Sequence, residues 1–271
     1  MSSTVRVLVT GVKGRMGAAL VRRVRDDGGM QLLGGMDRPG SSSIGLDVGL
    51  VVGLGALEVP VMDNLQHAIE QEKPDVLIDF TSAEASVEYA RICARNKVAL
   101  VVGSTGFSPE DTKAIEAAAQ EIPVVMAPNM SVGVNLVIQL AGQLARVLGD
   151  DFDIEVLETH HRMKKDAPSG TALRLAEELA HALGRSSEDF CTSRIGRTRE
   201  RPQGEIGLQS LRGGDVVGEH TVFFFGDGER VELTHRATSR DQFARGAVRA
   251  ARWVVKQQSG LYDMHDVLGL R

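Results

Sequence analysis

Cysteine is nearly missing from this chain of 271 residues, where Cys93 and Cys191 are the only two. Two cannot build a disulfide framework or a cysteine-rich zinc site, and free thiols suit a reducing cytosol, so a cytoplasmic location is expected. A charged-then-apolar leader is also missing, because Met1-Ser2-Ser3-Thr4-Val5-Arg6 runs straight into an apolar strand. No apolar run reads as long enough for a membrane span, so no membrane partner is expected. Basic charge is not in excess either. The net charge of −5 argues against a general nucleic-acid binder while leaving room for a local basic site. Aromatic residues are scarce at 4%, whereas glycine is abundant at 30 residues, so tight turns and close backbone approaches are expected. What remains, 42% hydrophobic and 25% charged, is that of a soluble globular protein with one large domain or two modest ones.

Val5 to Thr10 is a short β-branched run that stops at Gly11-Val12-Lys13-Gly14-Arg15-Met16-Gly17, after which Ala18 to Val24 continues at helical spacing. Strand, glycine turn and helix together form the context of a dinucleotide-binding loop. The spacing is G-x-x-G-x-x-G rather than the commoner G-x-G-x-x-G. A second strand, Gln31 to Met36, ends in Asp37, twenty residues after Gly17, where an acid hydrogen-bonds the adenosine ribose. Arg38 follows and can pair with the extra phosphate of NADP, so the two residues together predict use of both NADH and NADPH.

Pro39 to Pro60 is rich in glycine and serine without a clear period and reads as a long loop or insertion. Alternation then resumes, with strands at Asp75–Phe80, Val98–Gly103 and Pro123–Ala127 and helices at Ser82–Arg95 and Ser108–Gln120. Ser108 is the expected N-cap, with Asp111 three residues on. Repeated βα units imply a doubly wound parallel sheet, whose ligands lie beyond the carboxyl ends of its strands. Gly103, Ser104 and Thr105, and Ala127, Pro128, Asn129 and Met130, sit at two such ends and join the cofactor candidates.

The pattern changes after a long apolar helix, Ser131 to Leu148. An apolar strand, Ile154 to Leu157, runs into Glu158-Thr159-His160-His161-Arg162-Met163-Lys164-Lys165-Asp166-Ala167-Pro168-Ser169-Gly170-Thr171, and a helix follows from Thr171 to Leu183. Two imidazoles, two ammoniums and a helix start crowd into one crossing, which reads as an anion-binding acid/base site. His160 and His161 share a site only if the chain leaves strand geometry there. Beyond the polar stretch Arg185–Gln203, strands are expected at Glu205–Leu211, Gly218–Phe225 and Arg230–Thr238, the last two joined as a hairpin at Gly226-Asp227-Gly228. Phe223, Phe224 and Phe225 are apolar on both faces, so one face needs a cover beyond the local core. A final amphipathic helix, Gln242 to Gln257, is expected to return to the first domain.

Five segments taken together resemble the dihydrodipicolinate reductase family over Val5 to about Leu268: Gly11-x-x-Gly14-Arg15-Met16-Gly17, Gly103 to Phe107, Asn129 to Asn135, Glu158 to Thr171, and Gly218 to Thr221. Thr159 and Ser104 depart from the residues common at their places without removing a charge or a glycine. The resemblance implies an α/β fold, a Rossmann-type doubly wound parallel sheet with a second α+β domain. Residues 1–130 with 241–271 would bind NAD(P)H, and residues 131–240 would hold substrate and build a homotetramer. It implies reduction of dihydrodipicolinate, a small dicarboxylate, in the diaminopimelate route to lysine. It also implies His160 as general acid/base, Lys164 as proton donor, and His161, Gly170 and Thr171 as binders of substrate carboxylate. The cofactor candidates are Gly11, Val12, Lys13, Gly14, Arg15, Met16, Gly17, Asp37, Arg38, Gly103, Ser104, Thr105 and Ala127 to Met130. No metal is expected, since adjacent histidines lack helical zinc spacing and Lys164 with Lys165 repels a dication. The alternatives are another two-domain dehydrogenase acting on an amino or aldehyde acid, and a cofactor-sensing protein without chemistry.

Overall fold

A computed structural model describes residues 4–270, so the start read at Met1–Ser3 and the last residue, Arg271, lie outside the described residues. The apolar runs of the first half become short strands buried on both faces. They are β1 (Val5–Thr10), β2 (Met30–Met36), β3 (Val61–Met62), β4 (Val76–Asp79), β5 (Ala99–Val102) and β6 (Pro123–Met126). With β12 (Gly260–Tyr262) they form one sheet in the order β12-β6-β5-β4-β1-β2-β3, every pair parallel. Side chains alternate across a strand, and β1 uses both faces. Val7 and Val9 enter the core under α1 (Arg15–Asp26) and α8 (Asp241–Val254). Leu8 enters the opposite one, under α3 (Leu65–Glu72), α4 (Ala83–Asn96) and α5 (Pro109–Ala119).

The helices start where local chemistry allows. Ser108 caps α5 in a reciprocal box with Asp111, as expected, with Pro109 in the first turn. Ser82 caps α4 by accepting from Ala85 N–H at 3.3 Å. Several short elements were not foreseen. The Pro39–Pro60 stretch contains α2 (Val48–Val51), capped by Asp47, and leads into the two-residue β3. The chain also continues past α8 into β12, which pairs with β6, and then α9 (Met264–Leu268). Each is too short to show a period of its own. One expectation needs correction: Val132–Asp151, which is α6 (Val132–Leu148) and the turn after it, is long and apolar enough to cross a membrane. Its apolar face is accounted for inside the protein, where Val134, Val137, Ile138, Ala141 and Ala145 join the core of the second sheet.

The chain divides into two compact units, residues 4–132 with 240–270, and residues 133–239. The second holds a mixed sheet in the order β11-β10-β7-β9-β8, from β7 (Asp153–His160), β8 (Phe190–Cys191), β9 (Ile206–Arg212), β10 (Gly218–Gly226) and β11 (Glu229–Ala237). The hairpin β10–β11 is antiparallel, while β9 pairs parallel with β7. Helices α6 and α7 (Gly170–Ala182) share a core with one face of this sheet. Cross-strand register arranges that face in rows. Ile206, Ile154, Phe224 and Val231 make one, and Leu208, Val156, Val222 and Leu233 the next. The third row is polar: Ser210, Glu158, His220 and His235. The fourth pairs Arg212 with His160.

Candidate active site

At the carboxyl end of β1 the chain turns through Gly11 at φ +60°, a conformation glycine adopts without strain. The turn is tight. A Cβ at Gly17 would lie 2.1 Å from the Gly11 carbonyl oxygen, so the first turn of α1 sits directly on the loop. Gly14 caps α1 without a side-chain bond, which leaves the helix-start N–H groups for a ligand oxygen rather than for a cap. These features fit a dinucleotide pyrophosphate. Val12 is buried beneath the loop, while Lys13, Gly14 and Arg15 are exposed.

Asp37, at the end of β2, is more engaged than its position in the sequence implies. Its Oδ2 accepts from the hydroxyls of Ser41 and Ser43 at 2.7 Å each, and its Oδ1 from Arg38 N–H at 2.9 Å. A carboxylate has about four acceptor sites, so one remains for a ribose hydroxyl. Partial burial would raise its pKa, but the Ser43, Ser41 and Arg38 hydrogen bonds and the charge of Lys13 outweigh that and hold it low. Lys13 Nζ itself donates to Ser42 Oγ at 3.0 Å. The serines of the unpatterned loop thus close over the acid that precedes them.

A residue that the motifs did not single out ties the other cofactor candidates together. Asp79, fully buried at the end of β4, accepts from Thr10 Oγ1 at 2.5 Å, Thr81 Oγ1 at 2.7 Å and Ser104 Oγ at 3.1 Å, and also from Ser86 Oγ. Thr10 precedes the glycine loop and Ser104 stands in the Gly103–Thr105 segment, so one buried carboxyl group fixes two loops. Ala127 and Met130 are buried, and the Met130 carbonyl lies so close to α8 that a Cβ at Gly246 would fall 1.7 Å from it. A groove of about 920 Å³ lies at the other end of these strands, among Arg6, Asp75, Lys97 and Pro123. Ligands of parallel sheets bind at the carboxyl ends, so that groove is not the cofactor site.

In the second unit the strand was expected to stop at Leu157, but β7 runs on to His160. The extension matters because residues two apart share a face. Glu158 and His160 therefore continue the row begun by Ile154 and Val156, and His160 Nδ1 lies 2.5 Å from Glu158 Oε2. Arg212 reaches both Glu158 oxygens, at 2.7 and 2.8 Å, and Ser169 N–H donates to Oε1 at 3.1 Å. Burial would raise the Glu158 pKa, but the bonds from Arg212, His160 and Ser210 bring it down to about 2. For His160 burial comes first and lowers the pKa, Glu158 opposes it, and Lys164 and Arg212 add to the lowering.

His161 lies just past the strand end, with its Nδ1 buried and without a hydrogen-bond partner among the described residues. Lys164 Nζ pairs with Asp166 at 2.8 Å. The helix expected from Thr171 begins at Gly170, and Ser169 is its N-cap, accepting from Ala172 N–H at 3.2 Å. A Cβ at Gly170 would meet nothing within 4 Å, so the approach to this helix end is open. Sequence reading had given Glu158, Ser169, Arg212 and His220 no role. The alternation Ile154, Val156, Glu158, His160 was the signal for the first, whereas Arg212 is too distant in sequence to signal anything.

A glycine turn opening a parallel sheet in one unit, and a row of ionisable side chains on a mixed sheet in the other, are the features of a two-domain nicotinamide-dependent oxidoreductase. Family models described as "Dihydrodipicolinate reductase, N-terminus" and "Dihydrodipicolinate reductase, C-terminus" match residues 5–130 and 133–268. The chain belongs to the dihydrodipicolinate reductase family. It is 60% identical over 267 residues to a 4-hydroxy-tetrahydrodipicolinate reductase of Myxococcus xanthus (strain DK1622), covering 98% of each. A dipicolinate-bound dihydrodipicolinate reductase from Paenisporosarcina sp. TG-14 superposes with a TM-score of 0.78 at 27% identity, over 96% of this chain and 97% of that one. GenD2 from gentamicin A biosynthesis, in complex with NAD, shares the fold alone, with a TM-score of 0.60 at 18% identity over 100% and 92% of the chains. The family's reaction reduces 4-hydroxy-tetrahydrodipicolinate to tetrahydrodipicolinate with a nicotinamide dinucleotide, a step of the diaminopimelate route to lysine.

Proposed function

We propose that His160 is the general acid/base of this reduction, Lys164 its proton donor, and His161, Gly170 and Thr171 the seat of a substrate carboxylate. Reducing a conjugated or imine-like ring places a hydride on one atom and a proton on another. A bound reduced nicotinamide supplies the hydride. The chain's own residues do the rest. Lys164 and His160 hold exchangeable protons, and the start of α7 presents N–H groups and the positive end of its dipole to a carboxylate. The observation that carries this reading is the change along the core face of the second sheet. Its rows pass from apolar to polar and end at His160, whose pKa responds to the nearby Lys164 charge.

Gly11 to Gly17, Asp37, Arg38, Gly103 to Thr105 and Ala127 to Met130 hold the dinucleotide in this reading, and both NADH and NADPH serve. The substrate is a small dicarboxylate, like the dipicolinate bound by the solved relative. A homotetramer is supported by the outer face of the second sheet, where Phe223 and Phe225 stack with ring centroids 5.5 Å apart and Leu211 is exposed. The working location is the cytoplasm, where Cys93 and Cys191, both free thiols, stay reduced.

Replacing His160 by Gln, or Lys164 by Ala, tests the assignment. Turnover should fall by at least about 10²-fold, the lower end for lost acid/base help, with NADPH affinity unchanged. Preserved turnover in either variant, or a loss that lies in NADPH binding alone, would contradict it.

A further inference from the structure

Glu158 is surrounded by donors. Arg212 donates to both oxygens, Ser169 N–H to Oε1, and His160 Nδ1 faces Oε2 at 2.5 Å. Three of these contacts come from fixed donors, two guanidinium N–H groups and the Ser169 N–H, the charge of Arg212 holds the carboxyl ionised, and an ionised carboxylate only accepts. Nδ1 therefore carries its hydrogen and donates it. In a neutral imidazole the other nitrogen, Nε2, is then bare and is the atom that exchanges a proton. Nε2 faces the neighbouring strand at a position that carries no side chain. A Cβ at residue 218 would stand only 3.0 Å from Nε2, and the residue there is glycine.

We propose that Glu158, clamped by Arg212, is a positioning residue that fixes the Nδ1–H tautomer of His160 and turns Nε2 toward the space left by Gly218. The inference rests on the reading of His160 as the acid/base group. The same carboxylate also holds Ser169 N–H, immediately before Gly170 and Thr171, so it sets the distance between the base and the carboxylate seat.

The charges around the imidazole show what Glu158 opposes. Arg212 faces it from β9, Lys164 from the loop after β7, and His220 edge-on from β10 with ring centroids 5.2 Å apart. Asp166 reaches Lys164 rather than the ring. Burial, Lys164 and Arg212 all disfavour a proton on His160, and Glu158 works against all three. Without it none of these groups would favour a proton on the ring, and its pKa would fall further.

The test is Glu158→Gln, read by ¹⁵N NMR of the imidazoles and by turnover of NADPH with 4-hydroxy-tetrahydrodipicolinate. Glutamine brings an N–H₂ into a ring of donors, so the Nδ1–H tautomer should cease to dominate and the His160 pKa should drop. Turnover should fall by about 10-fold or more, as when a catalytic histidine loses its tautomer-fixing carboxylate. The limb of the pH–rate profile that reports His160 should move with the NMR value, while KM for NADPH stays put. Arg212 left beside an amide could unfold the protein, so a double variant, Glu158→Gln with Arg212→Met, removes the stranded cation and should show the same tautomer change. A wild-type tautomer and pKa in both variants, beside an inactive His160→Gln, overturns this inference alone. Full activity in His160→Gln overturns the acid/base reading and this inference with it.

Discussion

Ser169 Oγ stands 3.0 Å from His220 Nε2 and 3.2 Å from Ala172 N, so a single hydroxyl joins the first turn of α7 to β10. The imidazole at the other end of that bond is almost fully buried, and burial, followed by the charge of His160, pushes its pKa down to about 4.

That depression has a sign. The folded value lies below the ordinary 6.5, so the unfolded chain binds the extra proton and stability is fully present above about 6.5. It is lost as pH falls toward 4, by an amount on the order of 3 kcal/mol. Glu158 adds a second loss of the same sign between about 4.5 and 2. Denaturant titrations from pH 7 to pH 4 should show a shallower decline for His220→Gln than for the parent protein. Parallel curves would mean that His220 does not report the loss.

Pyridine-2,6-dicarboxylate is planar and doubly anionic, and it should compete with substrate at the start of α7. Steady-state inhibition should be competitive against substrate and not against NADPH. Competition with NADPH would place the anion in the wrong unit.

Arg38→Ala should weaken NADPH several-fold and leave NADH nearly unchanged, because a partly exposed phosphate contact is worth about 1 kcal/mol. Added salt should raise KM for NADPH more steeply than for NADH. Equal losses for the two cofactors would show that Arg38 does not read the extra phosphate. Asp37, already bonded to two serines and to its neighbour's N–H, has little acceptor capacity left to impose a strict choice.

Gly17→Ala forces a methyl to within 2.1 Å of the Gly11 carbonyl. The loop must open, and NADPH affinity should fall by about 10-fold or more, given that overpacking typically costs 1–3 kcal/mol. Calorimetry with pyridine-2,6-dicarboxylate should still detect binding, since its proposed seat lies in the other unit. Tight NADPH binding by this variant would refute the pyrophosphate assignment.

The sequence made the parallel sheet legible wherever an apolar run met a glycine or a capping serine. Val5–Thr10 before Gly11 and Ser108 before Asp111 are two cases, and at both the local chemistry and the fold agree. It was silent on β3, α2, β8 and β12, because elements of two to four residues show no period. These form only because a strand edge or a core is already there to receive them. The candidate acid/base segment was legible by residue type, since histidines and lysines crowd before a helix start. Its internal wiring was not. Glu158 finds Arg212 across 54 residues, and Asp79 gathers hydroxyls from Thr10 and Ser104 across 69 and 25. Such partners meet only once the strands are in register.

The parallel sheet takes its last edge strand, β12, from the final residues of the chain, and α8 presses Gly246 onto the Met130 carbonyl. On the ribosome, residues 133–239 emerge as one continuous stretch and contain every strand of their own sheet. The unit that begins first must wait until Gly260–Tyr262 has been made, with the edge of β6 unpaired meanwhile. An unpaired edge invites other strands, so the nascent chain is most exposed to aggregation in the interval before Gly260–Tyr262 is made.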